Sequence, residues 1–140
     1  MHEEFFFGIE RTHTRKDMAR AVLESAGFTI RMLIDVIEEF DLSIDRIRLS
    51  GGLARINLVS QIKADITGKE IAVVDEFETT ALGAAILAGV GVGTYSSIYE
   101  GASQSVNERL IVIPNRKNHE IYSEMYGLFN ETYNSLKGSL

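Results

Sequence analysis

Apolar residues recur along the chain at two different periods. After Thr14, the positions Met18, Ala21, Val22, Ser25, Phe28, Met32, Leu33, Val36, Ile37 and Phe40 follow at steps of three and four, the spacing that lines one face of a helix. Leu23, Ile30 and Ile34 widen that stripe and predict burial on two sides. Thr14-Arg15-Lys16-Asp17 has the form of a capping box, in which hydroxyl and carboxylate each take an orphan amide. Gly27 falls mid-helix, where glycine weakens the helix by about 1 kcal/mol relative to alanine; close approach of a neighbouring element would account for it. Over residues 45–50 the period changes, Arg46 and Arg48 alternating with Ile47 and Leu49 as along a strand. Gly51-Gly52 interrupts it, and residues 53–67 return to helical spacing through Leu58, Ile62 and Ile66, with Gly68 as a stop.

Ile71-Ala72-Val73-Val74 is apolar without alternation, as expected of a strand covered on both faces. A capped helix is predicted from Thr79 or Thr80, its Ala81, Ala85, Gly89 and Gly93 forming a smooth ridge of residues four apart. A Gly/Ser loop over 93–105 and a strand at 110–113 follow. After Pro114 comes a last helix carrying Tyr122, Tyr126, Phe129 and Tyr133. Helix, strand, helix, strand, helix with short connections predicts an α/β arrangement of a few parallel strands flanked by long helices. Two or three short parallel strands cannot bury both faces and both edges of a sheet. Residues 1–140 are therefore expected to form a single partial domain, a piece of a larger fold.

Composition narrows the function. The 45% hydrophobic and 24% charged content is that of a globular protein. Fourteen Lys+Arg against twenty Asp+Glu give a net charge of −6, which argues against a general nucleic-acid binder and leaves room only for a local cationic site. Without cysteine there is no disulfide, thiolate zinc site or cysteine nucleophile. His2, His13 and His119 are scattered, with no metal-ligand spacing. The apolar patch Phe5-Phe6-Phe7 is too short for a secretory leader. Residues 79–99 carry no charge, but their strongly apolar part, 81–92, is only about half of the roughly 20 residues a bilayer helix needs. A cytoplasmic domain with no membrane partner is expected.

Gly51-Gly52 is the most informative dipeptide. It follows a strand and opens a helix, where open α/β sheets bind ligands, and glycines there let bare backbone approach a polar ring or anion. A tight turn with no ligand fits the same pattern. Gly89-Val90-Gly91-Val92-Gly93-Thr94 resembles a phosphate loop only in composition, since it ends a helix and no Lys-Ser/Thr follows it. The Tyr122, Tyr126, Phe129 and Tyr133 row reads as core packing rather than base stacking. Asp17, Glu24, Asp65, Asp75, Glu76 and Glu78 include no pair placed to shift one another's pKa, and no serine, histidine and acid set has a recognisable spacing. No residue is assigned to catalysis or to a metal.

Taken together, three motifs resemble the C-terminal, nucleotide-binding lobe of the FGGY carbohydrate kinases, the xylulose, gluconate and glycerol kinase family. The first is Phe6-Phe7-Gly8-Ile9 followed by Asp17-Met18-Ala19-Arg20-Ala21-Val22-Leu23-Glu24, with Glu4 where a small residue is usual. The second is Ser50-Gly51-Gly52-Leu53-Ala54-Arg55 through Gln61-Ile62-Lys63-Ala64-Asp65-Ile66-Thr67-Gly68, which is similar to the adenosine-binding turn and its helix. The third is Glu78-Thr79-Thr80-Ala81-Leu82-Gly83-Ala84-Ala85 through Ala88-Gly89. Pro114 and the tyrosine-rich final helix also resemble the C-terminus of that lobe, so that the resemblance covers about residues 5–137, in order and correctly spaced.

The resemblance implies a ribonuclease H-like, actin-like ATPase lobe of a phosphotransferase that uses ATP and Mg²⁺. Gly51 and Gly52 would lie against the adenosine, Leu53 and Ala54 would continue that wall, and Ile56 stands where the family often has a polar contact to the base, with Asn57 beside it. No Asp-x-Gly-Thr phosphate motif occurs; the resemblance places the catalytic Asp and the sugar pocket in an N-terminal lobe that this chain lacks. The Leu53-Ala54-Arg55 run leans toward the pentulose and gluconate kinases. Two readings follow: the ATP-binding part of a sugar kinase, inactive alone, or a non-catalytic half-kinase module that docks on a partner. Either leaves apolar surface bare and predicts self-association.

Overall fold

The computed structural model describes residues 5–75 and 78–137. Its elements are α1 (Arg15–Glu38), β1 (Arg46–Leu49), α2 (Asn57–Thr67), β2 (Glu70–Val74), α3 (Thr79–Gly91), α4 (Ile98–Ser105), β3 (Glu108–Val112) and α5 (Arg116–Leu136), with a 3-10 turn at Gly52–Arg55 between β1 and α2. The capping box forms as read. The Asp17 carboxylate accepts from the Thr14 amide at 2.7 Å, and the Thr14 hydroxyl accepts from the Lys16 amide at 3.2 Å. Gly68 ends α2 with φ +68°, a left-handed cap that glycine adopts without strain. No helix among the described residues is long and apolar enough to cross a membrane.

Helix α2 is the centre of the molecule. Its Ile62 and Ile66 pack with Phe28 of α1 and with Tyr122 and Tyr126 of α5, while Leu23, Met32 and Phe129 close the edges. Of the aromatic row of α5, Tyr122, Tyr126 and Phe129 are thus core, with Phe129 and Tyr126 stacked on Phe28 at 5.1 and 6.0 Å, whereas Tyr133 is 42% exposed. Ala64 of α2 joins Ala54, Ile71, Val73 and Val112 in a second cluster against the sheet. Gly27 shows why α1 accepts a glycine in its middle: a Cβ there would lie 2.6 Å from Cδ1 of Ile66, a side chain that is fully buried.

The sheet has the order β1-β2-β3. β1 runs parallel to β2, with Arg46 opposite Glu70 and Leu49 opposite Val73. β2 is buried along its apolar length, as its lack of alternation requires. β3 departs from the expected parallel arrangement and pairs antiparallel with β2, Ile71 opposite Val112. The cause lies in the segment read as a Gly/Ser loop, which holds α4. One crossover helix returns the chain to the starting end of a sheet and yields a parallel strand; a second helix carries it back again. α4 folds onto α3, with the Tyr95 ring held between Gly89 and Gly101 and Gly101 against Ile86. Its start was legible in Ser97-Ile98-Tyr99-Glu100, a second capping signature. The Ser97 hydroxyl accepts from the Glu100 amide, and the Glu100 carboxylate accepts from the Ser96 amide and hydroxyl. Helix α3 itself has Glu78 as N-cap with no side-chain cap bond, so the threonine cap does not form. Of its ridge, Ala81 and Ala85 are exposed and Gly93 lies beyond the helix end.

Gly127 lies inside α5 with open space where a Cβ would go. Gly127→Ala is therefore expected to stabilise the fold by about 0.5–1 kcal/mol, and Gly27→Val, driven into Ile66, to destabilise it by about 1–3 kcal/mol. Urea unfolding followed by far-UV circular dichroism distinguishes the two signs.

Between α1 and α5 the Tyr122 hydroxyl donates to Glu24 at 2.7 Å and accepts from Arg20 at 2.6 Å. Burial first, and then the bond to Glu24, raise the phenol above its ordinary 10.0, with Arg20 opposing. The folded state therefore holds this proton more tightly than the unfolded chain. The stability it contributes is complete below about pH 10 and is lost as pH climbs toward the raised value. Tyr122→Phe has no such proton, so its melting temperature should fall less steeply than that of the wild type between about pH 9 and pH 11. Equal slopes would contradict this account.

Candidate functional site

At the carboxyl end of β1, Leu49 runs into Ser50 and then Gly51, which adopts φ +86° and ψ 177°. A side chain at that φ is strained, so glycine is needed for the strand to turn there. Two backbone bonds close the turn: Ala54 donates its amide to the Gly51 carbonyl at 3.0 Å, and Ile56 donates to Leu53 at 3.1 Å. A Cβ added at Gly51 or at Gly52 would meet nothing within 4 Å. The backbone of the pair therefore faces open space, as a ligand surface requires.

The six residues singled out in the sequence stand together at this turn but not in one role. Ala54 is fully buried and packs with Ala64, Ile71 and Val73. Its side chain fastens the turn to the sheet and cannot line a wall for a ligand, contrary to the expectation. Leu53 and Ile56 are 55% and 48% exposed, and Asn57 is exposed at the first residue of α2. Ile56 gives α2 no side-chain cap, so the first amides of the helix have no side-chain acceptor and favour a polar or anionic group. Leu49 is paired with Val73, so the adjoining strand ends beside the turn and leads through Asp75 toward α3, residues 76 and 77 lying outside those described. Bare backbone beside two parallel strand ends is the usual ligand position in such sheets.

The glycine pair lines neither of two cavities in the described residues. A cavity of about 680 Å³ opens at the amino ends of β1 and β2, beside Asp45, Arg46, Lys69 and Glu70. Another of about 670 Å³ lies between α1 and α5 under Phe5, Phe6 and Phe7.

Three of the carboxylates, Asp17, Glu24 and Asp65, have structural partners. Hydrogen bonds from Thr14 hold the Asp17 carboxyl below its ordinary range, and Glu24 pairs with Arg20 at 2.6 Å. Asp65, 2% exposed, accepts from Gln61, from the Asn115 amide and from Asn118, each at 2.8 Å. Asp75 is exposed at the end of β2, and Glu76 lies outside the described residues. Among the described residues no three His, Asp or Glu side chains are grouped to hold a metal ion. The arrangement can seat a flat polar ligand against backbone.

Comparison with known proteins shows the family and the fold. The family model for the C-terminal domain of the FGGY family of carbohydrate kinases matches residues 2–92. Among curated proteins, glycerol kinase of Streptococcus agalactiae serotype Ia is 41% identical over 95 residues, 67% of this chain and 19% of that protein. Glycerol kinase of Saccharolobus islandicus (strain M.16.27) is 42% identical over 94 residues, 66% of this chain and 19% of that protein. The chain thus spans about a fifth of the length of these relatives. Among solved structures, xylulose kinase from Lactobacillus acidophilus superposes with a TM-score of 0.81 at 27% identity, covering 96% of this chain and 27% of the other. Gluconate kinase from the same organism gives 0.78 at 27% identity, covering 94% and 27%. The fold is that of these actin-like ATPase kinases. The chain therefore belongs to the FGGY family of carbohydrate kinases, through the C-terminal domain of that family.

Proposed function

We propose that this chain is the ATP-binding part of the C-terminal lobe of a sugar or polyol kinase, with the adenosine against Gly51 and Gly52. The observation that carries the reading is the open glycine backbone at the end of β1, in a chain of this family. In the reaction an acceptor hydroxyl oxygen bonds to the γ-phosphorus as its bond to the β,γ-bridging oxygen breaks. ADP leaves, and the hydroxyl proton passes to a base. Such catalysis rests on positioning and charge neutralisation. The turn contributes positioning; the base, the sugar pocket and the Mg²⁺ ligands belong to an N-terminal lobe and to the phosphates, and no step is assigned to residues of this chain. A cytoplasmic location goes with this reading.

Two observations pull the acceptor in different directions. The Leu53-Ala54-Arg55 run favours a pentulose or gluconate, whereas the 41–42% identity is to glycerol kinases. On this reading the acceptor pocket lies outside this lobe, so the identity over 94–95 residues reflects kinship rather than contact, and glycerol, xylulose and gluconate are all acceptors to test.

A second reading, a non-catalytic half-kinase module, is favoured by α3. Its sequence is apolar on all sides, yet only Ile86 is buried, and Leu87 is 59% exposed. Helices apolar all round are normally buried. We infer that this face, with the sheet edge, drives self-association of the 140-residue chain.

ATP and ADP titrated against the isotope-labelled chain should shift amides at 51–57, and Gly52→Val should abolish the shifts while far-UV helicity stays roughly intact. Unchanged shifts in the variant would make the turn merely structural. The chain alone should phosphorylate neither glycerol, xylulose nor gluconate, and sedimentation at several concentrations should show a rising mass. Turnover would refute inactivity, and a concentration-independent monomer would refute association.

A further inference from the structure

We propose that the outer face of α1 docks against the same face of a second copy of this chain, the two helices lying antiparallel about a two-fold axis near Thr29. This pairing is independent of the nucleotide-site reading and uses a face other than that of α3.

Helix α1 is apolar on two opposite sides. One side carries Gly27, Phe28 and Ile34, all buried. The other carries two rows with steps of seven. Ala19, Ala26, Leu33 and Phe40 form the first; Val22, Thr29 and Val36 form the second. All are exposed, Leu33 by 60% and Phe40 by 73%. Glu39 keeps helical torsions past the end of α1, and the Phe40 amide donates to the Ile37 carbonyl at 3.1 Å, so Phe40 prolongs the seam. Alternating steps of three and four are the repeat with which one helix sets its side chains between those of another. At the midpoint the Thr29 hydroxyl donates to the Ser25 carbonyl at 2.9 Å, so covering it strands no donor.

Size and charge both select a second copy, and select it antiparallel. With the axis at Thr29, Leu33 falls opposite the other copy's Ala26, Phe40 opposite Ala19, and Val36 opposite Val22. Large meets small along the seam, as dense packing requires; parallel copies would set Leu33 on Leu33 and Ala26 on Ala26. Arg15 and Lys16 stand at the amino end of α1, with Glu39 and Asp41 beyond its carboxyl end. None of these four has a side-chain hydrogen bond or ion pair among the described residues. Antiparallel docking brings the basic end of each copy to the acidic end of the other and opposes the two helix dipoles. The two-fold axis closes the contact at two copies. Over both copies, the exposed parts of Val22, Leu33, Val36, Ile37 and Phe40 come to about 1,000 Å², the lower limit of a specific interface. A pair that dissociates in the micromolar range fits that area.

The chain has no cysteine, so introduced thiols report the alignment. Under copper-phenanthroline and air, Thr29→Cys should cross-link to its own copy. Val22→Cys and Val36→Cys should each cross-link poorly alone and readily when mixed. With α3 blocked by Leu87→Glu, sedimentation should still show a monomer–dimer equilibrium. Adding Leu33→Glu should raise its dissociation constant at least about tenfold, since a carboxylate would be buried unpaired, with far-UV circular dichroism unchanged. A monomer once α3 is blocked would overturn the inference and leave association through α3 standing; a monomer in the wild type as well would remove both. Self-cross-linking of Val22→Cys as fast as that of Thr29→Cys would mean parallel copies and would overturn the proposal.

Discussion

Everything in this fold depends on α2 satisfying two cores at once. Its isoleucines, Ile62 and Ile66, complete the aromatic cluster that joins α1 to α5, while its Ala64 lies on the sheet with Ala54. The large residues sit where the neighbour is a helix, the alanine where the neighbour is a close-lying strand. The contact is tight enough that α1 gives up a Cβ at Gly27 to admit Ile66. Interiors packed to crystalline density transmit such displacements instead of absorbing them. A shift of α2 would therefore carry Ala54, and the glycine turn fastened by it, away from the end of β1.

Polar groups fix the same helix at its carboxyl-terminal half. Arg31 of α1 donates to the Ile66 carbonyl and to the Ser123 hydroxyl, and lies 4.4 Å over the ring of Tyr126. A cation at a helix carboxyl end meets the negative end of the dipole, and an arginine stacked on a phenol keeps its fork in place. One turn earlier along α5, Asp65 draws in the start of that helix through Asn115 and Asn118, and His119 Nδ1 lies 2.8 Å from the Asp65 carbonyl. A buried carboxylate surrounded by neutral donors holds position through hydrogen bonds and not through an ion pair. These are the reasons a residue that looks chemical in the sequence is architectural in the fold.

How much was legible in the sequence follows the same physics. Local signals survived intact: the Thr14–Asp17 cap, the Gly68 stop, the two-sided burial of β2 and the turn at Gly51 all depend on a few neighbouring residues. The mid-helix Gly27 was legible as a question, and only the contact with Ile66 answered it. Two features escaped because they depend on distant partners. The direction of β3 is set by α4, whose serines and glycine hid a helix that its cap announces. Ala54 counted as a possible wall because the family resemblance sets this turn against a nucleoside, and its burial is decided by Ile71 and Val73, seventeen or more positions later.

The aromatic cluster has a consequence for the order in which this structure can assemble. Hydrogen-bonded partners within it lie 98 and 102 positions apart along the chain, so α5 must close a very long loop before Phe28 finds its stacking partners. The β1, α2 and β2 unit needs only short-range encounters by comparison, and formation of non-local contacts lags behind local ones. The nucleating centre is therefore expected to be the strand–turn–helix that carries the glycine pair, with α5 arriving late as a cover. A lesion in α5 would then accelerate unfolding while leaving the rate of refolding almost untouched.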